Sequence, residues 1–244
     1  MAEPIRLQKF FTDSGVLSRR AAEAEILSGR VRVNGQVAQL GDKVDPESDI
    51  VEYGGRRILP RKDKPHRYIM LNKPRGYVTT LQDEKGRKTV TELVTDAKTR
   101  LYPVGRLDMD SEGLLLLTDD GEFANHLTHP RHEIPKIYHV SLSPNPTKEQ
   151  ISALSAPMVI DGYRLMPVKV RKLAPDVLEM TLHEGRNRQI RKMCESVELK
   201  VVELRRVAIG KLRIGSLPLG KWRELTHEEV AYLCPQLANK NNSK

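Results

Sequence analysis

The stretch GRLDMDSEGLLLLTDDG, residues 105–121, sets four aspartates around a run of four leucines. A short apolar run bounded by turn residues predicts a buried strand, here over 114–118. Asp119 and Asp120 precede a glycine and fit a turn that leaves this strand. Asp108 and Asp110 precede the strand. One carboxylate is therefore expected on a loop at the edge of the core, where it needs a cationic partner to stay ionised.

Cations that could accompany this carboxylate occur both nearby and far along the chain. Arg106 lies two residues before Asp108. The segment HEGRNRQIRKM (183–193) supplies three more arginines, Arg186, Arg188 and Arg191. An aspartate without Ser, His or Cys partners suits nucleophilic or charge-stabilising chemistry at a sugar carbon, which requires no metal.

The same segment is predicted to turn from a strand into a helix over 187–197. Helical spacing then places Arg188, Arg191 and Lys192 on one face. The charge of the chain is concentrated here, because eleven basic and three acidic residues give 186–223 a net charge of +8, out of +9 for all 244 residues. A basic face beside a carboxylate loop suits the processing of a polyanion, and nucleic acid is the leading candidate.

The remaining pattern predicts an α+β fold. A strand-rich region begins at residue 67, and its later strands are expected at 114–118, 137–142, 165–173, 177–184 and 200–209. Helices are expected at 121–128, 147–155, 187–197 and 226–233. Strands and helices do not alternate regularly, which favours a sheet flanked by helices over a doubly wound parallel sheet.

Residues 1–58 are predicted to form a separate small module. Ser18 is suited to cap a helix that Gly29 closes, and Asn34-Gly35 marks a hairpin. Cations in the first turn of a helix oppose its dipole, but a phosphate docked at the helix start would favour them. The RNA contacts expected in this module are Lys9, Arg19, Arg20 and Arg30.

Composition excludes several classes of protein. Hydrophobic residues make up 39% of the chain, enough for a core, and no run approaches the ~20 apolar residues of a membrane span. The N-terminus lacks the apolar segment of a secretory signal, and two cysteines are too few for a disulfide scaffold or a zinc cluster. We therefore expect a cytoplasmic protein with a module at 1–58, a linker at 59–67, a larger domain at 68–235 and a polar tail at 236–244.

Two patterns that suggest metal binding have simpler interpretations. A calcium-loop spacing that starts at Asp108 runs into the four leucines, where oxygen ligands are needed. A proline separates His132 from His126 and His129, so the three imidazoles do not share a helix. Tyr138 either packs in the core or serves as a platform on which a flipped base stacks.

Several motifs together resemble those of one family. They are GRLDMDSEGLLLLTDDGEFANHLTHP (105–130), LNKPRGY (71–77), PKIYHVSL (135–142) and HEGRNRQIRKMCE (183–195). These resemble the bacterial ribosomal RNA pseudouridine synthases of the RsuA/RluB type, and are nearer to the members that act on the large subunit. The first 58 residues resemble the small RNA-binding module that those enzymes share with a ribosomal protein. The resemblance covers roughly residues 4–235.

The resemblance implies an α+β fold, with a small N-terminal alpha-L type module and a mixed, mainly antiparallel synthase domain. It makes Asp108 the catalytic residue, paired with Arg191, and makes Tyr138 a contact to the target base. Arg106 would help to hold the flipped nucleotide, and Arg186 is expected to bind the substrate. The motif that contains Lys73 would have a structural role, and the RNA contacts expected in the larger domain are Lys73, Arg188 and Lys192.

We therefore predict an isomerase that converts a uridine of ribosomal RNA, with 23S favoured, to pseudouridine as a monomer without cofactor or metal. Whether Asp108 attacks the sugar carbon or removes a proton stays open. One alternative is a synthase specific for 16S rRNA. Another is a non-catalytic RNA-binding or ribosome-assembly factor, which leaves a carboxylate among arginines unexplained. A third is a metal-dependent phosphoesterase that uses the four aspartates of 105–121.

Overall fold

A computed structural model describes residues 3–60, 65–97 and 99–237. The described residues form two compact units. One is the chain up to His66 with Asp119–Gly121, and the other is Arg67–Thr118 with the residues from Glu122 onward. The module boundary at 58, the linker at 59–67 and the tail at 236–244 stay predictions. Residues 61–64 of the linker and all but two residues of the tail lie outside the described residues.

The smaller unit contains two helices and six short strands. In chain order these are β1 (Ile5–Arg6), α1 (Leu7–Asp13), α2 (Arg19–Leu27), β2 (Val31–Val33), β3 (Gln36–Val37), β4 (Lys43–Val44), β5 (Val51–Tyr53) and β6 (Arg56–Ile58). Strands pair in the order β3-β2-β5-β6, and β1 pairs separately with β4. The core that joins helices and sheet is built around Leu7, Phe10 and Phe11, which are almost completely buried.

The local signals predicted for this unit are confirmed. The Ser18 side chain accepts a hydrogen bond from the Ala21 amide at 3.2 Å, which caps α2. Gly29 follows the helix with φ +73°. Asn34 and Gly35 both have positive φ and join β2 to β3 in a two-residue hairpin.

The larger unit is a mixed sheet with helices. Its strands are β7 (Tyr68–Lys73), β8 (Tyr102–Val104), β9 (Glu112–Thr118), β10 (Lys136–Ser143), β11 (Val159–Ile160), β12 (Tyr163–Arg164), β13 (Lys169–Ala174), β14 (Val177–Leu182), β15 (Lys200–Ile209), β16 (Leu212–Arg213) and β17 (Trp222–Glu224). Its helices are α3 (Gly121–Thr128), α4 (Lys148–Ser155), α5 (Gln189–Glu195) and α6 (His227–Leu233), with 3₁₀ turns at Val90–Ala97 and Pro130–His132.

The large sheet has the strand order β13-β14-β10-β15-β9-β7-β17, with β16 added beside β15 and β8 beside β9. Every neighbouring pair is antiparallel except β15 and β9, which are parallel. The predicted α+β class with a mixed, mainly antiparallel sheet is therefore confirmed. No helix in the described part of the chain is long and apolar enough to span a membrane.

The four leucines of β9 are explained by burial on both faces of the sheet. Leu114 and Leu116 pack in one core and Leu115 and Leu117 in another, as alternation along a strand requires. Gly113, the residue directly before the four leucines, has φ +106° and lies against β15. A Cβ on this residue would lie 2.2 Å from the backbone oxygen of Arg206 in β15. Only glycine allows β9 and β15 to approach so closely, and this approach fixes the loop before β9.

Two predicted elements have different bounds in the structure, and one hairpin was not predicted. The strand expected at 165–173 is observed at Lys169–Ala174, and the hairpin of β11 and β12 was missed. The helix expected at 187–197 is shorter, Gln189–Glu195, because Arg188 has φ +52° and lies outside it as the N-cap residue. Arg188 therefore does not share a helical face with Arg191.

Both cysteines are buried: Cys194 is completely inaccessible to solvent, and Cys234 is 2% exposed. Burial raises the pKa of the Cys194 thiol to about 12. We expect the folded protein to be unreactive toward a thiol-specific disulfide reagent at pH 8, and both thiols to react once guanidinium unfolds it. Rapid reaction of one thiol in native buffer would contradict this packing.

Candidate active site

The loop that carries Asp108 is held by a lysine underneath it. Lys73, at the end of β7, is 0% exposed, and its ammonium group donates to the carbonyls of Pro74, Asp108 and Ser111 at 3.1, 2.9 and 2.8 Å. Burial lowers the pKa of Lys73 to about 8. The expected RNA contact of Lys73 is therefore corrected, because an amino group buried under a loop does not reach a phosphate. Its role here is structural.

The Asp108 carboxylate lies on this loop, and its side chain is 31% exposed. The nearest cation is Arg188, whose Nη1 lies 3.8 Å from Asp108 Oδ2. The backbone of Asp108 is fixed twice, since its carbonyl accepts from Lys73 and from the Ser111 amide at 3.1 Å. The loop thus presents a carboxylate on a rigid support, next to a guanidinium but not locked against it.

Asp110 is the carboxylate that the arginines bind directly. Arg188 donates to both of its oxygens at 3.1 Å, and Arg191 Nη2 lies 3.2 Å from Oδ2. Burial alone would raise the pKa of Asp110, but the hydrogen bonds from Arg188 and the charge of Arg191 outweigh it and lower that pKa. The expected pairing of Arg191 with Asp108 is therefore corrected. Arg191 is anchored instead by the Asp110 carbonyl and the Val201 carbonyl, at 3.0 and 3.3 Å.

A cavity of about 430 Å³ lies beside Asp108 within the larger unit. Its acidic side chains are Asp108 and Glu184. Its basic side chains are Arg106, Lys136, Arg186, Arg188 and Arg206. This volume is in the range of small-ligand sites. The excess of basic over acidic groups suits a ligand that carries phosphate.

The predicted site residues separate into two groups. Asp108, Arg106, Tyr138, Arg186 and Arg188 meet around the cavity. Lys73, Arg191 and Lys192 are not part of its wall, and Lys192 forms an ion pair with Asp161 at the turn of the β11–β12 hairpin.

Tyr138 occupies the wall of the cavity and is partly buried. It lies on β10 directly opposite Arg206 of β15 and Met180 of β14. Its ring packs against two hydrophobic clusters, one that contains Met180 and one that contains Leu115 and Leu117 of β9. The side chain is thus fixed in place while it faces the cavity. This arrangement accommodates both interpretations of Tyr138, since the ring is anchored in the core and also available as a stacking surface.

Two residues that line the cavity, and one that contacts its Arg186, were not identified from the sequence. Lys136 is two residues from Tyr138 on β10, and this spacing puts both on one face of the strand, so the signal was present. Arg206 gave no signal, because it lies in an apolar strand pattern. Tyr163, on β12, is 57% exposed and lies under the Arg186 guanidinium, with 4.3 Å between Cζ and the ring centre.

The histidines expected to be simple loop residues are close in space. The rings of His126 and His132 lie 4.0 Å apart, and His129 accepts a hydrogen bond from the Arg131 amide. Burial and the neighbouring His132 lower the pKa of His126. Within residues 3–60, 65–97 and 99–237, no group of three or more His, Cys, Asp or Glu side chains is arranged to hold a metal ion.

Of the four residues predicted to contact RNA in the smaller unit, two form ion pairs with acidic side chains of the protein and two do not. Lys9 pairs with Asp13, and Arg30 pairs with Glu25. Arg19 and Arg20 are exposed in the first turn of α2 and form no ion pair with another described residue. Among these four predicted contacts, the start of α2 therefore offers the cations most available to an anion.

Comparisons with known proteins assign the chain to a family. Residues 67–196 match the family described as RNA pseudouridylate synthase, and residues 5–51 match the S4 domain. The ribosomal large subunit pseudouridine synthase B of Bacillus subtilis is 43% identical over 235 residues, which cover 93% of this chain and 95% of that protein. The dual-specificity RNA pseudouridine synthase RluF of Escherichia coli is 39% identical over 238 residues, covering 98% of this chain and 81% of that one.

A solved structure agrees with these matches. A crystal structure of a pseudouridylate synthase is 30% identical, covers 94% of this chain and 99% of that one, and superposes with a TM-score of 0.68. Fold and cavity thus define an RNA-modifying enzyme with an appended S4 domain. The chain belongs to the RNA pseudouridylate synthase family. The predicted family and enzyme class are confirmed, and the roles of Asp108 and its neighbours stay predictions.

Proposed function

We propose that this enzyme converts one uridine of ribosomal RNA, in the large subunit, to pseudouridine, with Asp108 as the catalytic carboxylate. The observation that carries the proposal is the position of Asp108 in the wall of a cavity of about 430 Å³ lined by five basic and two acidic side chains. A single nucleotide with its phosphates fits both the size and the charge. The names of the relatives from Bacillus subtilis and Escherichia coli support an RNA substrate, and the first supports the large subunit.

Binding begins with removal of the uridine from its stack, which costs on the order of a few kcal/mol. Two interactions offset this cost. The exposed guanidinium groups of Arg106, Arg186 and Arg188 contact the phosphates, and a base that stacks on Tyr138 gains about 1–3 kcal/mol.

Asp108 then acts at the sugar by one of two routes. As a nucleophile it forms a bond from its oxygen to C1′ while the C1′–N1 bond breaks. As a base it takes a sugar proton while the same bond breaks. In both routes the uracil turns inside the cavity and bonds to C1′ through C5. As this bond forms, the Asp108–C1′ bond of the first route breaks, or in the second route the proton taken by Asp108 returns to the sugar. The C5 hydrogen then leaves as a proton to solvent or to a base, and N1 takes up a proton. The overall change is an isomerisation, so no redox cofactor or co-substrate is needed.

The surroundings of Asp108 favour this chemistry over a metal-dependent phosphoesterase. Arg188 lies beside the carboxylate, and Arg191 completes the cluster around Asp110. A divalent cation bound by Asp108 and Asp110 would have to displace these guanidinium groups. We also propose that the chain acts as a monomer in the cytoplasm, where bacterial ribosomal RNA is made.

Tritium release from RNA labelled at C5 of uridine tests the proposal. Purified large-subunit and small-subunit ribosomal RNA are incubated separately with the enzyme in excess chelator. We expect about one tritium released per large-subunit RNA molecule, with no loss of rate in chelator. Release from the small-subunit RNA alone would instead identify the 16S-specific alternative. RNA binding without release would identify a non-catalytic binding factor, and release only after addition of a divalent ion would contradict the metal-free reaction.

A further inference from the structure

Arg206 is a buried arginine that forms no ion pair with a carboxylate of any described residue. It lies in β15 and is 5% exposed, and its Nε donates to the Leu114 carbonyl at 2.7 Å. Its Nη1 is 3.5 Å from the Arg106 carbonyl, whereas Nη2 is buried with no hydrogen-bond acceptor among the described residues. Arg206 is also among the residues that line the cavity, so its positive charge acts at short range on whatever fills that space.

Lys136 contributes a second unpaired cation to the same wall. It begins β10 two residues before Tyr138 and is partly buried, and no described side chain forms a hydrogen bond or ion pair with it. Burial lowers its pKa, and the charge of Arg206 lowers it further. Two cations that repel each other at a buried wall cost folding free energy, so their presence calls for an anionic partner.

We propose that Lys136 and Arg206 form a cationic wall that stabilises the uracil ring as an anion after its bond to the ribose breaks. This inference rests on the proposed function. Buried groups that are fixed in advance stabilise charge that develops during a reaction, because they need no reorganisation.

The chemistry requires such an anion whichever way Asp108 acts. When the C1′–N1 bond breaks, its electron pair stays on N1 and spreads to the O2 and O4 oxygens of the ring. In the return step an electron pair at C5 forms the C5–C1′ bond, and the C5 hydrogen leaves as a proton. The negative charge on the ring is therefore present between the two steps in both routes.

The depth of the two cations favours the base over a phosphate as their ligand. Arg106, Arg186 and Arg188 are exposed and are suited to the phosphates of the RNA strand. Arg206 is nearly inaccessible, and Lys136 lies on the same strand face as Tyr138, the stacking surface. A base stacked on Tyr138 would place its carbonyl oxygens near this wall.

Leaving-group chemistry tests the proposal. The variant Lys136→Met removes the charge and keeps much of the side-chain volume, and Lys148→Met on the exposed start of α4 is the matched control. Each enzyme is assayed in single turnover on two short RNAs that carry uridine or 5-fluorouridine at the target position, with one radioactive phosphate there. Because 5-fluorouridine has no C5 hydrogen to lose, water adds across the N1=C6 bond once its C5–C1′ bond has formed. Conversion of either target nucleoside is therefore followed as its disappearance, by nuclease digestion and chromatography, and the Kd for RNA is measured separately.

We expect Lys136→Met to convert the uridine RNA about 10²–10³-fold more slowly than wild type. The deficit on the 5-fluorouridine RNA should be less than about tenfold, because fluorine itself stabilises the ring anion. The Kd should be unchanged, Lys136→Arg should recover part of the rate, and Lys148→Met should equal wild type.

Other outcomes would overturn the inference. Equal deficits on the two RNAs would show that Lys136 only positions the substrate, and a defect confined to Kd would mean that it binds a phosphate. A wild-type rate for Lys136→Met would remove it from catalysis altogether. Failure of the wild-type enzyme to convert the uridine RNA would instead contradict the proposed function, so the two failures are distinguishable.

Discussion

Replacing Asp108 by Asn should abolish pseudouridine formation, with a loss of rate of about 10⁴-fold or more, which corresponds to about 5 kcal/mol on the barrier. Asparagine has nearly the same shape and leaves the backbone carbonyl free to accept from Lys73. It can neither attack the sugar carbon nor take its proton. The measurement is tritium release in single turnover at saturating enzyme, with RNA binding measured alongside and expected to be retained.

Asp110→Asn is the matched control for this experiment. Asp110 lies two residues away and forms ion pairs with Arg188 and Arg191. Its side chain is 44% exposed. Exposed ion pairs contribute about 0.2–1 kcal/mol. This variant should therefore lose less than about tenfold in rate. If Asp110→Asn is inactive while Asp108→Asn retains its rate, the two carboxylates have the opposite roles.

Replacing Lys73 by Met should destabilise the larger unit by about 3 kcal/mol. Three carbonyls lose the Lys73 donor, and only the Asp108 carbonyl keeps a second donor, the Ser111 amide. Each group left unpaired costs about 1–3 kcal/mol. Removing the ammonium group also removes the free-energy cost of burying its charge, but this gain offsets only part of the loss. For a chain of this size the melting temperature should fall by roughly 6–12 °C, followed by circular dichroism. Lys169→Met, an exposed position on β13, should melt like wild type.

The pH dependence of the free energy of unfolding distinguishes a buried, ionisable Lys73 from a side chain that only fills space. The pKa is about 8 in the folded protein against an ordinary value of 10.5. Between these values the unfolded chain binds the proton more tightly, so the free energy of unfolding should rise with pH from about 8 to 10.5. Lys73→Met should lack this rise. Identical slopes for the two proteins would mean that the Lys73 amino group is not buried in solution.

Much of the fold could be predicted because its signals are local. Four consecutive leucines require a strand buried on both faces, and β9 has a core on each side. Asn34-Gly35 adopts the positive φ values that a two-residue hairpin needs. The helices predicted at 147–155 and 226–233 are observed as α4 and α6, and the structure shows that Thr147 and Thr226 cap them. Each of these depends on neighbouring residues alone.

The parts of the site that sequence reasoning missed depend on contacts between distant segments. Lys73 could not be recognised as buried, because its three acceptors are backbone carbonyls that any residue provides. Arg188 was placed in a helix because its left-handed φ has no sequence signal in a non-glycine residue. That conformation places Arg188 before α5 and Arg191 within it, and both guanidinium groups contact Asp110.

The most direct test of the account is a map of pseudouridines in the ribosomal RNA of cells whose only copy of this protein carries Asp108→Asn. Chemical mapping at single-nucleotide resolution compares these cells with wild type and with cells that carry Asp110→Asn. We predict that a uridine of the large-subunit RNA remains unmodified in the Asp108→Asn cells and is modified in the other two. An unchanged pseudouridine map in the Asp108→Asn cells, with the variant protein present at normal levels, would contradict the account.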